Sequence, residues 1–385
     1  MKGWNVKTKK HFGLLTSVLG QQKNNINHKK TKTMRKNVFK KVILMSLAVI
    51  FSISSMFAQK KTDFKVAWSI YAGWNPWAYA KDAGIIDKYT KKYGISIKLV
   101  KMDYIPSIEA YTSGEVDACV MTNMDALTIP VASGIPTTAV ILGDFSNGND
   151  AILVRDNLQI ANLKGQKASL VEFSVSHYLL SRALDKNGLK DSDVKVINVS
   201  DSDIAPAFVS NKDQKVVVTW NPLVMEIMQT PGITKIFDSS QIPGEILDMM
   251  MVNKKILDAN PKLAKALNDI WFEVMTIMST RGAKADGALG VMAKAGGSSL
   301  TEYKAQLKTT AMFYKAQDAV DYISGEEIKT NMKRVRNFCF KYGLLGDRVN
   351  SPDDIGIQFP DGTVLGNTGN VLFYFDSSYM QGTIQ

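Results

Sequence analysis

The 385 residues carry 47 lysines and arginines against 36 aspartates and glutamates, a formal charge of +11, with 45% hydrophobic residues, 22% charged residues and two cysteines. That is the composition of a globular chain long enough for two domains. The basicity belongs to residues 1–58, which hold 12 Lys/Arg and no Asp or Glu; the 35 basic and 36 acidic residues beyond them, with no basic stripe interleaved with aromatics, give no footing for nucleic-acid binding.

Taken in order, the chain opens with 1–33, which has no folding pattern and reads as an upstream extension before a start at Met34. Residues 34–58 have a signal-peptide layout. Arg35, Lys36, Lys40 and Lys41 form the charged region, Val42 to Phe57 the apolar region, and Ser54, Ser55 and Ala58 the small residues, with cleavage between Ala58 and Gln59. The apolar run falls short of the ~20 residues that span a bilayer, which favours cleavage over an anchor. No cysteine stands near the cut, so a lipid anchor is not expected. The chain is therefore expected to be exported.

Phe64 to Ile70 reads as a first strand, running into the aromatic loop Tyr71-Ala72-Gly73-Trp74-Asn75-Pro76-Trp77, with Pro76 suited to a first helical turn. Ile85 to Tyr93 is a short amphipathic helix and Ile95 to Val100 a strand. Pro106 opens a helix that Gly114 ends. Val116 to Met121 is a strand whose successor helix is capped by Thr122-Asn123-Met124-Asp125. Thr137 to Leu142 is a buried strand before the polar loop Gly143 to Asp150. A second alternation follows: strands at 151–154, 167–171, 194–199 and 215–219, with helices at 175–187 and 202–210. Met249 to Val252 reads as a returning crossover. Asn260 as cap and Pro261 as first residue begin a long helix with Leu263, Leu267, Ile270, Trp271, Val274 and Met278 on its apolar face. Helices at 299–323 and 326–342 and a Gly-rich, β-like stretch from Gly362 to Phe375 complete the chain.

Strand–helix alternation implies mostly parallel sheets. Two lobes are expected: 59–150 plus 249–385, and 151–248, joined by crossovers near 150 and 250, with the cleft between them as the ligand site. Cys119 and Cys339 have no metal-ligand spacing and read as two buried thiols. His177 is the one histidine beyond residue 58, which leaves zinc and Ser-His or Cys-His chemistry without partners.

The stretch from Phe64 to Phe145 resembles the first half of nitrate/sulfonate/taurine-type solute-binding proteins of ABC importers. Ala83-Gly84-Ile85-Ile86, Ser113-Gly114-Glu115-Val116-Asp117-Ala118 and Ala132-Ser133-Gly134-Ile135-Pro136 carry the likeness. Asn162 to Lys167, Ser176-His177-Tyr178 and Val218-Thr219-Trp220-Asn221-Pro222 continue it. Trp68 to Trp74, Met121 to Ala126 and Gly143 to Asp150 look most like the branch named for urea uptake. The resemblance implies an α/β, two-lobed periplasmic binding protein of type II that closes on a solute and delivers it to a membrane permease and its ATPase. It implies a monomer, no cofactor and no catalysis. A pyrimidine-precursor synthase of thiamine biosynthesis shares the fold, but carries clustered cysteines and active-site histidines that this sequence lacks.

Five elbows, each after a strand, can face one cleft: 68–77, 122–125, 144–149, 172–178 and 219–222. They supply the candidate binding residues Trp68, Tyr71, Trp74, Asn123, Asp125, Asp144, Glu172, Ser174, Ser176, His177, Trp220 and Asn221. Each Trp is equally an ordinary core residue, and Asp125 in a first helical turn is favourable without any ligand. Glu172-Phe173 stands where sulfonate-binding relatives have a Gly-Ser or Gly-Thr turn that lets backbone N–H groups approach an anion. With Asp125 and Asp144, this points to a neutral or cationic nitrogenous solute (urea, amide or amine) rather than an anionic sulfonate, taurine or nitrate.

Overall fold

The computed structural model describes residues 61–383; the upstream extension and signal peptide read from the sequence lie outside them. The strands are β1 (Asp63–Trp68), β2 (Ser96–Lys101), β3 (Ala118–Thr122), β4 (Thr137–Ser146), β5 (Asp150–Arg155), β6 (Lys167–Leu170), β7 (Lys195–Asn198), β8 (Val216–Trp220), β9 (Ile233–Asp238), β10 (Leu247–Asn253), β11 (Thr310–Met312), β12 (Gly356–Gln358), β13 (Val364–Leu365) and β14 (Val371–Phe375). They form two sheets. One has nine strands in the order β13-β12-β14-β4-β10-β3-β1-β2, with β11 added to β4; the other has five, β7-β6-β8-β5-β9.

Both sheets are rich in parallel pairs flanked by helices, the architecture that strand–helix alternation produces. Besides the antiparallel additions of β11 to β4 and β13 to β12, the departures from parallel order sit where the chain changes sheets. β10 returns from the second sheet and wedges between β3 and β4, antiparallel to both. β5, the first strand after the chain leaves β4, is antiparallel to β8 and β9. The central strands are buried on both faces, which is why β3 and β8 read as continuous apolar runs rather than alternating ones.

The long helix is Pro261–Ser279, and its Trp271 packs on Trp77 with ring centroids 5.3 Å apart. Its expected cap is not formed: the Asn260 amide instead donates back to the Ile256 carbonyl at 3.3 Å. The single helix read over 299–323 is in fact two, Leu300–Leu307 and Ala316–Ser324, separated by β11. The interruption is tertiary in origin, because Thr310, Ala311 and Met312 pair with Ser146, Phe145 and Asp144 at the end of β4. Cys119 and Cys339 are buried and unbridged, and burial pushes the Cys119 thiol up to about 12. Among the described residues no helix is long and apolar enough to cross a membrane.

Candidate functional site

Five chain segments deliver side chains to one edge of the nine-stranded sheet. After β1, the loop turns back on itself through Trp74 N–H and Asn75 N–H bonds to the Tyr71 carbonyl, 2.9 and 3.0 Å. The Tyr303 hydroxyl anchors this loop by donating to the Ala72 carbonyl at 2.8 Å. After β2 the chain enters the helix Tyr104–Thr112. β3 ends in Thr122, whose hydroxyl accepts the Asp125 N–H and so caps the one-turn helix Asn123–Ala126. β4 ends near Asp144, and the returning β10 begins with Leu247-Asp248, placing Asp248 directly opposite both Asp144 and Thr122. From the second sheet come Asp150 at the start of β5, Val175 at the start of the helix Val175–Lys186, and Trp220 at the end of β8.

These segments enclose a cavity of about 20 Å³ lined by Tyr71, Trp74, Tyr104, Thr122, Asp150, Val175, Trp220, Ile246 and Asp248. On the scale of ~10–15 Å³ per water, that is room for a group of water or methyl size. The aromatic walls touch one another: Tyr71–Trp74 at 5.0 Å, Trp74–Tyr104 at 5.4 Å and Tyr104–Trp220 at 5.7 Å between centroids. Trp220 also lines a wider groove of about 430 Å³ together with Asp103, Asp201, Glu226 and Glu302, and with Lys101 as its one basic residue. The indole N–H of Trp220 reaches the Ile70 carbonyl at 3.4 Å, so it is a wall common to the cavity and the groove.

The electrostatics around the cavity are one-sided. Asp125, Asp144, Asp150 and Asp248 are all buried, and among the described residues no lysine, arginine or histidine lines the cavity. Their partners are hydroxyls. Tyr104 donates to Asp125 at 2.5 Å and Thr122 to the same oxygen at 2.8 Å; Tyr71 donates to Asp144 at 2.8 Å; Ser146 donates to Asp150 at 2.5 Å. Burial without a countercharge disfavours the ionised form. It pushes the Asp125 carboxyl up to about 6 and those of Asp144 and Asp150 up to about 7, and raises Asp248 well above the usual carboxylate range. Neighbouring carboxylates push Asp150 and Asp248 further in the same direction. Asp144 Oδ2, Asp125 Oδ1 and the Trp74 indole N–H are buried without a hydrogen-bond partner.

Gly73 is fixed by this packing. A Cβ there would fall on the Asp144 carboxylate and the Tyr71 ring. Gly73→Ala is therefore expected to cost about 1–3 kcal/mol by overpacking, read as a lowered melting temperature, and to displace Tyr71 from the cavity wall.

The residues expected from sequence divide into two groups. Tyr71, Trp74 and Trp220 line the cavity, and Asp125 and Asp144 stand directly behind it, bonded to its tyrosines. The others lie elsewhere. Trp68 faces a separate groove with Lys81, Leu99 and Lys101. Asn123 is a buried tie, donating to the Glu245 carbonyl at 3.0 Å and accepting the Leu247 N–H at 3.1 Å. Asn221 accepts the Met225 N–H at 3.1 Å and donates to Thr309 at 3.3 Å. Ser174 caps its helix by accepting the Ser176 N–H, and the Ser176 hydroxyl is buried without a partner. His177 accepts the Phe173 N–H at 3.4 Å, lies between the Phe173 and Tyr342 rings, and is held below its usual pKa by burial. Glu172 is only half-buried; its backbone N–H bonds Asn198, and its carboxylate does not line the cavity. The acidity near the cavity thus comes from Asp150 and Asp248 as well as Asp125 and Asp144, and not from Glu172.

Tyr104, Thr122, Asp150, Val175, Ile246 and Asp248 complete the lining and were not among the residues read from sequence. Tyr104 had a usable signal, since it too follows a strand. Asp248 had a weaker one, as a lone carboxylate at the head of the apolar run Met249 to Val252.

Behind the cavity, Glu245 joins the two helical layers. It is buried, accepts from the Tyr178 hydroxyl, and pairs with Arg182 at 2.8 Å on one helix and Arg334 at 3.1 Å on the helix Glu326–Lys341. Glu245→Ala is expected to cost about 2–3 kcal/mol in urea denaturation. That is below the ~3–5 kcal/mol of a fully buried pair, because Arg334 remains partly in water.

Residues 88–270 match the family described as NMT1/THI5 like. This NMT1/THI5-like stretch spans most of the first sheet's cavity-forming segments and all of the second sheet. The chain is 25% identical over 194 residues to the taurine-binding periplasmic protein of Escherichia coli (strain K12), an alignment covering 49% of this chain and 59% of that protein. It spans about half the length of the curated relatives it matches. Among solved structures, the alkanesulfonate-binding protein SsuA from Xanthomonas axonopodis pv. citri, bound to MOPS, has the same fold: TM-score 0.62, 16% identity, 76% of this chain and 97% of that one. The periplasmic nitrate-binding protein NrtA from Synechocystis PCC 6803 is similar at TM-score 0.55 and 13% identity, over 84% of this chain and 97% of that one. The fold is that of type II periplasmic binding proteins, and the named relatives are binding proteins.

Proposed function

We propose that this protein is the exported solute-binding component of an ABC importer and captures a small nitrogenous solute of the urea, amide or amine type. The observation that carries the reading is the cavity between the two sheets, walled by four aromatic rings, backed by four buried carboxyls and, among the described residues, lined by no basic side chain. Aromatic faces and carboxylates attract cations and amide N–H groups and oppose anions. The unpartnered Trp74 N–H could meet a urea or amide carbonyl. In this reading the lobes are 59–150 plus 249–385 and 151–248. They close when a solute bonded to both makes the closed form the favoured one. The protein acts as a monomer in the periplasm and hands its solute to a permease driven by an ATPase, without catalysis or a cofactor.

A second reading, an anionic solute such as taurine, an alkanesulfonate or nitrate, is supported by what the relatives are named for. An enzyme of thiamine-pyrimidine synthesis is less well supported. His177 is engaged with Phe173 and Tyr342, and the two cysteines are separately buried.

A thermal-shift screen of ureas, amides, amines, sulfonates and nitrate tests the proposal. A ligand at about 100 times its dissociation constant adds about 2.7 kcal/mol of stability. Stabilisation by taurine or nitrate alone would transfer the assignment to the anionic reading, and a flat response to every class would remove the binding-protein reading itself.

A further inference from the structure

The wall of the cavity presents a pair of carboxyls that cannot both be ionised without help. Asp144 and Asp248 are opposite one another on adjacent strands and both buried, and the Tyr71 hydroxyl donates to Asp144 at 2.8 Å. Asp248 lines the cavity and Asp150 faces it from the second sheet. Every ionisable group brought against the pair by the surrounding elements is acidic or phenolic. Tyr71 comes from the loop after β1, Asp150 from β5, Tyr303 from the helix Leu300–Leu307 and Tyr314 from the segment after β11. Asp125, farther along the same edge, is held by Tyr104 and Thr122. Two carboxyls directly opposite one another on paired strands, in a buried site without a countercharge, keep one proton between them. That proton is also the donor that Asp144 Oδ2 otherwise lacks, since no N–H or hydroxyl among the described residues reaches it.

We propose that Asp144 and Asp248, assisted by Asp150, are the receptor for a protonated amine head, and that the head enters in exchange for the proton the pair holds. This rests on the solute-binding reading and narrows its solute from nitrogenous to cationic. The charge balances: an alkylammonium brings one positive charge into the cavity, one proton leaves to water, and the site keeps its net charge. The small volume suits a single ammonium group flanked by the Tyr71, Trp74, Tyr104 and Trp220 rings. The remainder of a longer solute would lie past Trp220 in the acidic groove.

Isothermal titration of the protein with methylammonium chloride, urea and taurine, at fixed ionic strength and in two buffers of different protonation heat, tests the exchange. Above about pH 7, where Asp144 is ionised and Asp248 keeps the proton, methylammonium is expected to release about one proton, with affinity rising up to about tenfold per pH unit. Asp248→Asn is expected to abolish the release and weaken binding at least tenfold at about pH 8, with circular dichroism confirming the fold. Asp150→Asn, on the other sheet, reads the loss of affinity independently should Asp248→Asn not fold. Methylammonium binding that is flat with pH and releases no proton overturns the exchange while leaving the importer reading in place. Binding of urea without binding of methylammonium overturns it in the same way. Binding of taurine alone overturns the cationic solute, and binding of none of the three overturns both readings.

Discussion

Raising the pH from about 5 to 8 is expected to lower the melting temperature of the ligand-free protein by several degrees. Asp125 is raised to about 6, and Asp144 and Asp150 to about 7, each chiefly by burial, while the unfolded chain titrates these groups near ~3.9. A carboxyl whose folded pKa is raised contributes its full share of stability below the unfolded value, and loses it as pH climbs through the folded one. The loss therefore begins near pH 4 and is complete by about pH 8. Groups held below their usual range, such as Asp361 beside Lys329 and Asp238 beside Lys235, act with the opposite sign, but only at pH values below that window. Between pH 5 and 8 the raised aspartates decide the slope. Asp248→Asn should flatten it and stabilise the ligand-free protein at about pH 8 by about 1–3 kcal/mol, since a neutral amide removes the cost of keeping protonated a buried carboxyl that the unfolded chain ionises. The same change should weaken the binding of a cation. A variant that gains stability while losing affinity separates a binding carboxylate from a structural one, and a pH-independent melting temperature in the native protein would contradict the electrostatics derived above.

Trp220→Ala is expected to have the largest effect of any aromatic substitution. The indole bonds Ile70 across from the second sheet, meets Tyr104 edge-on and walls off the cavity from the outer groove. Truncation costs about 3–5 kcal/mol of folding stability when a buried Trp leaves a cavity. Loss of a desolvated cation–π contact of ~2 kcal/mol corresponds to a drop of about 30-fold in methylammonium affinity. Trp220→Phe, which keeps a ring face, should retain most of the affinity. Calorimetry on both variants reads the difference; equal affinities in Trp220→Ala and the native protein would place the solute elsewhere.

Much of the fold was legible because its signals are local. Gly84 and Gly94 bracket the helix Ile85–Tyr93, Thr122 accepts the Asp125 N–H, and the apolar run of β8 ends at Trp220. Each is a matter of a few residues in sequence, where periodicity and capping act. The split of 299–323 by β11 was not legible, since its cause is pairing with β4 more than 160 positions earlier.

The candidate site divides the same way. The aromatic loop Tyr71–Trp77, Asp125 after a strand, Asp144 in a polar loop and Trp220 before Asn221-Pro222 stand out by type and position. The sequence by itself determined an α/β chain with strand-end elbows rich in aromatic and acidic residues, and a body without net positive charge. Only the tertiary structure decided which elbows meet. It turned Glu172 outward, because its backbone bonds Asn198 in the neighbouring strand. It brought Asp248 opposite Asp144, because β10 returns antiparallel between β3 and β4, with irregularities against β4 on either side of Met249-Met250. The difference is one of range. Capping and periodicity are set by neighbours in sequence, whereas a strand's register fixes which carboxyls share a cavity, and register is chosen by the packing of the whole sheet.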